Sequence, residues 1–159
     1  MDPLIIAAVA WLHVLLAAIW IGSAILFSAV LGPVVSALSP ESRSEFMMKF
    51  FPKMERFLNS VVPTLLVSGT ALFVVMSWGD PLVLDTWNLS VALGGVLGLG
   101  TYLFALVSLV PAGRRLTALI QSGSRDGLAS AQRSLGLASM IELALMLLTL
   151  TAMIAAGFA

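Results

Sequence analysis

The stretch Trp11-Leu12-His13-Val14-Leu15-Leu16-Ala17-Ala18-Ile19-Trp20-Ile21-Gly22 places the chain's single histidine in an otherwise apolar run. It belongs to a longer apolar segment, residues 4–31, and similar segments follow at 57–78, 89–110 and 135–158. Each is long enough to cross a hydrocarbon core about 30 Å thick, which takes ~20 residues. A helix satisfies all its backbone hydrogen bonds within the segment, as a lipid environment demands. The expectation is an all-α protein: one integral membrane domain over residues 1–159, folded as an antiparallel four-helix transmembrane bundle.

Composition agrees. Hydrophobic residues make up 60% of the chain and charged residues 10%, with a mean hydropathy of +1.07. A soluble domain needs more polar surface than this to cover its core. The first segment reads as a retained span: Met1-Asp2-Pro3 offers no basic leader, and the apolar run is roughly twice a signal peptide's usual core. There is no cysteine, which excludes disulfides, Cys-ligated zinc, iron–sulfur clusters and covalent haem attachment.

The formal net charge of zero hides an asymmetry. Arg43, Lys49, Lys53 and Arg56 lie between the first two spans, and Arg114, Arg115, Arg125 and Arg133 between the last two. Residues 79–88 carry only Asp80 and Asp85, and the termini only Asp2. The positive-inside bias then predicts cytoplasmic basic loops, with both termini and the acidic loop outside. The setting is a multi-pass protein of a cell membrane, the plasma membrane of a prokaryote.

Within the first basic loop, Gly32-Pro33 predicts a kink, since proline breaks the backbone ladder. Ser39-Pro40-Glu41 reads as an N-cap with proline at the first helical position, and Ser42 to Glu45 as a capping box. Phe46, Phe50 and Met54 form an apolar stripe beside Lys49 and Lys53, suited to a short helix at the membrane interface. In the second basic loop, residues 122–127 read as a turn between helix ends. Trp11 and Gly22 recur at the same offset as Trp87 and Gly98, an echo between the two halves.

An ionisable side chain at membrane depth is costly and faces a bundle interior, a cavity or a cofactor. Helical spacing puts Ala17, Trp20 and Ala24 on the His13 face. The imidazole either hydrogen-bonds a neighbouring helix, ligates haem iron or another metal, or relays protons. Orientation places His13 in the outer half, level with Met76, Met153, Trp87 and Asn88; Met76 or Met153 is then a candidate second axial ligand. Glu142, the carboxylate inside the fourth span, lies toward the cytoplasmic side. It is expected to pair with Arg56 or to hydrogen-bond Asn59. Ser90, Gly94, Gly98, Thr101, Ala105 and Ser108 form a small-residue stripe for close helix packing, and the Gly94/Gly98 face is a candidate surface for a homo-oligomer or a larger membrane complex. No Walker loop, His-Glu-x-x-His motif or nucleophile–histidine–acid set is present, and nothing points to nucleic acid.

His13, Trp20 and Gly22, followed by Phe50, Phe51, Met54-Glu55-Arg56-Phe57-Leu58, Pro63 and Gly69, resemble the HemJ-type protoporphyrinogen oxidase and CopD-like copper-resistance group of four- to five-helix membrane proteins. The resemblance lies mainly in the first half. It implies that His13 is an axial ligand of haem b and that Glu55 and Arg56 line a cytoplasmic entrance. The oxidase pattern has a second histidine in span one and a Trp-Leu-His-x-Lys run at span three; here Trp87-Asn88-Leu89-Ser90 stands at the latter place. The implied function is a haem b protein with a redox, electron-transfer or sensing role, of which a membrane oxidoreductase is one form. The alternatives are a copper- or small-solute-handling protein using His13 with methionines, and a noncatalytic subunit of a membrane complex.

Overall fold

The first helix, α1 (Pro3–Ile25), starts where its sequence allows. Asp2 caps it by accepting a hydrogen bond from the Leu4 N–H at 2.8 Å, and Pro3 occupies the first turn, where its missing N–H costs nothing. The computed structural model describes residues 2–77, 85–124, 126–156 and 158, and every regular element among them is helical.

Gly32-Pro33 does not simply break the rod. The chain widens into a π-helical stretch, Leu26–Leu31, and resumes as α2 (Gly32–Ala37). The Gly32 N–H reaches back five residues to the Phe27 carbonyl. This extra residue in the turn is how the backbone accommodates a proline that cannot donate and would collide with the preceding turn. The second half repeats the device. After α4 (Thr86–Phe104), a π stretch at Ala105–Leu109 leads into α5 (Val110–Gln121), with Pro111 in the first turn and the Val110 N–H bonded to the Ala105 carbonyl.

Between these rods runs α3 (Pro40–Met76), 37 residues long. Ser39 is its cap, accepting from the Ser42 N–H at 3.2 Å. The expected capping box is therefore displaced: Ser42 lies inside the first turn, and Glu45 pairs with Lys49 one turn on. The Lys49 ammonium holds the Glu45 carboxyl below its ordinary range, by hydrogen bond first and charge second. The expected separate interface helix is likewise the opening of α3, which continues through Pro52 and Pro63. Its aromatic stripe is used inward, with Phe50 stacked on Phe46 and tilted against Phe27, both at 4.9 Å.

Asp85 caps α4, accepting from the Asn88 N–H at 2.6 Å. The turn expected at residues 122–127 forms, with Gly123 and Gly127 at φ +65° and +80°, the left-handed region that favours glycine. The last helix, α6 (Leu128–Ala156), begins one to two turns before the apolar run that announces it. The last position of the second expected span, Trp78, the loop aspartate Asp80, Arg125 and Gly157 lie outside the described residues.

The resulting rods, Pro3–Ala37, Pro40–Met76, Thr86–Gln121 and Leu128–Ala155, are four helices long and apolar enough to cross a membrane. Among them α1 packs on α3 and α6, α4 on α6 and α3, and α5 on α6 and α3. One core cluster gathers Trp20, Val61, Val62, Leu65 and Met146, and a second Met47, Leu116 and Ala131. Large apolar side chains such as Leu4, Val67, Val96 and Met140 face outward, an arrangement suited to a hydrocarbon solvent.

The small-residue stripe on α4 is consumed within the chain. Gly94 and Gly98 are buried. A Cβ on Gly94 would stand 2.7 Å from the Met153 methyl, and one on Gly98 3.5 Å from the Thr149 methyl. These glycines let α4 and α6 approach closely, so the face offered for an oligomer contact is covered by α6.

Candidate functional site

A histidine and a carboxylate lie within the apolar spans, and different helices surround each. His13, half-buried on α1, faces the last third of α3. Its Nδ1 lies 3.1 Å from the Leu65 carbonyl and 3.2 Å from the Ser68 hydroxyl. Ser68 Oγ donates to the same carbonyl at 2.9 Å. A carbonyl only accepts, so its bond with Nδ1 places a proton there and, in a neutral ring, leaves Nε2 as a lone pair. Among the described residues nothing hydrogen-bonds Nε2. Gly69 completes the cradle: a Cβ at that position would stand 2.6 Å from His13 Cε1 and 3.1 Å from Nδ1. The ring therefore lies directly against the α3 backbone.

Ala17 and Trp20 do share the His13 side of α1, but they pack into the core with Val61, Val62 and Leu65; Trp20 is 5% exposed. Neither methionine expected near His13 hydrogen-bonds the ring among the described residues. Met153 covers Gly94. Met76 is exposed on α3, about 10 Å beyond Gly69 at ~1.5 Å per residue.

Glu142 on α6 is 6% exposed. The expected partner Arg56 turns away, donating from Nε to the Pro52 carbonyl at 3.2 Å on an exposed face. Asn59 makes no hydrogen bond to the carboxylate, but it shares with Glu142 and Glu55 the wall of an internal cavity of about 130 Å³. Arg56 is not on that wall. Glu55 is engaged by Arg114, an ion pair between α3 and α5. The Glu55 hydrogen bond and charge hold the Arg114 guanidinium above its ordinary range. Along α1, Trp20 borders the cavity, whereas His13 does not.

Ser68 and Tyr102 were not singled out from the sequence; Gly69 entered only through the family resemblance and Arg114 only as a loop charge. A Ser-Gly pair in mid-span and the chain's single tyrosine inside an apolar segment were the available signals. The Arg114 partnership had none, since its partner is 59 residues away. No protein-family model, curated protein or solved structure matches this chain.

Proposed function

We propose that this chain is a multi-pass membrane protein that binds haem b through His13, in a redox, electron-transfer or sensing role. The observation that carries the reading is the bond between Nδ1 and the Leu65 carbonyl. A metal-ligating histidine commonly gives its second ring N–H to a carbonyl, which sets the tautomer, orients the ring and raises the basicity of the free nitrogen. Ser68 and the Gly69 surface add to that orientation, and Nε2 has no hydrogen-bond partner among the described residues. The donor chemistry thus fits an axial imidazole. Bound haem would supply one-electron chemistry, while the chain holds and orients the ring. Neither Met76 nor Met153 bonds the ring among the described residues, and His13 is the one protein ligand proposed.

The proposal includes the orientation: antiparallel spans, both termini outside and the two basic loops on the cytoplasmic side of the plasma membrane. The distribution of lysine and arginine supports it.

The test is an absorption titration of the detergent-solubilised protein with haem. A saturable Soret band at one haem per chain is expected, and it should be lost or shifted in His13→Ala. No band, or an unchanged one in the variant, refutes the reading.

A further inference from the structure

The Glu142 cavity is independent of His13, and it has a chemistry of its own. Its aromatic walls are Trp20, Phe27, Phe51 and Tyr102. Of the two carboxylates on the wall, Glu55 is held by Arg114. Glu142 is more than nine-tenths buried and has no hydrogen bond or ion pair among the described residues. The hydroxyls of Ser23 and Ser139, also on the wall, donate to the Ile19 and Leu135 carbonyls at 2.7 and 3.0 Å. What they present to the cavity is therefore lone pairs. No lysine, arginine or histidine lines it among the described residues.

The wall also carries the Ser28 hydroxyl, the Asn59 amide and the Tyr102 phenol, which donate as well as accept, but its formal charges are carboxylates alone among the described residues. An unpaired carboxylate and aromatic faces together recognise positive charge: the carboxylate as counter-ion, the rings through their negative faces. A buried carboxylate in a membrane helix is retained at a cost and points to a partner. A hard divalent cation is a poor match, because it demands six or more oxygen ligands, and the wall has one uncommitted carboxylate. The size also decides. A cavity of about 130 Å³ is close to the ~150 Å³ that accommodates a benzene ring in a protein interior, far short of a porphyrin.

We propose that this cavity binds a small organic cation, an amine or ammonium head on an aromatic or apolar body, with Glu142 as its counter-ion. The experiment titrates the full-length protein in mild detergent with phenethylammonium, 2-phenylethanol and phenylacetate, which share a shape and differ in charge. Fluorescence of Trp20 on the wall reports binding. The cation should bind saturably, with the neutral alcohol weaker by about tenfold or more, the scale of one buried charge-assisted hydrogen bond, and the anion not at all. Glu142→Gln should abolish the preference for the cation, while Arg56→Ala, away from the cavity, should keep it. Because Glu142→Gln is a core change, a second readout uses the unmodified chain. Labelling of Glu142 by a hydrophobic carbodiimide, read by mass spectrometry, should be slowed by the cation and not by the alcohol. Equal binding of cation and alcohol, or equal protection of Glu142 by both, overturns the proposal.

Discussion

Gly69→Ala is the sharpest probe of how His13 is held. Alanine is the better helix former, by about 1 kcal/mol over glycine, so in open space the change should stabilise α3. At this position the new methyl carbon would stand 2.6 Å from His13 Cε1 and 3.1 Å from Nδ1. The ring is backed by the helix that carries it, so the helices must part or the imidazole must turn away from Leu65. Overpacking of this kind costs roughly 1–3 kcal/mol. Loss of the Nδ1 hydrogen bond adds about 0.6 kcal/mol, the average for interhelical bonds in membranes. Gly95→Ala on α4 is the matched control, since a Cβ there meets nothing within 4 Å. The helix-propensity gain cancels between the two variants, leaving Gly69→Ala less stable by about 2–4 kcal/mol. Reversible unfolding in mixed micelles, followed by circular dichroism, gives both values. Repeating Gly69→Ala in a His13→Ala background closes a double-mutant cycle: with the ring gone, the penalty should shrink to near zero. Equal stability of Gly69→Ala and Gly95→Ala, or a penalty that persists without His13, refutes the cradle.

Gly113→Ala should be destabilising by about 1–3 kcal/mol or more, because its Cβ would fall 1.8 Å from the Phe51 ring; Phe51→Leu should recover much of the loss in the same unfolding assay. Ser39→Ala removes the α3 cap and should cost about 1 kcal/mol, read as a lower unfolding midpoint. The Glu45–Lys49 pair lowers the Glu45 pKa, so its small stabilisation is present above the unfolded carboxylate value and is lost as pH falls through the folded one; Glu45→Gln should flatten that part of the stability–pH curve, and an unchanged curve would dismiss the pair. Because the chain has no cysteine, Ser124→Cys and Asp2→Cys give clean topology reporters: an impermeant thiol reagent added to intact cells should label Asp2→Cys and spare Ser124→Cys, with the reverse pattern refuting the orientation.

Four apolar segments of spanning length, their approximate ends and the caps at Ser39 and the turn at 122–127 were legible in the chain because each is a local property. Length, hydropathy and turn chemistry depend on neighbours a few residues apart. Pro33 announced a disturbance of the helix; that it takes the form of a π-helical turn, repeated before Pro111, depends on how the backbone re-pairs. His13 and Glu142 stood out for the same local reason, as ionisable groups in greasy helices. Their partners did not. Helical periodicity says which residues share a face, but it leaves open the relative height and rotation of two helices. The packing of α1 on α3 therefore decides that His13 meets Leu65, Ser68 and Gly69 instead of a methionine. In the same way, the approach of α6 to α4 covers Gly94 and Gly98, and the placement of α3, α4 and α6 leaves Glu142 facing a cavity while Arg56 turns outward. Sequence alone determined the four-helix character and the two polar positions; tertiary structure decided what each polar group touches, because that depends on helix-to-helix register, which no local pattern encodes.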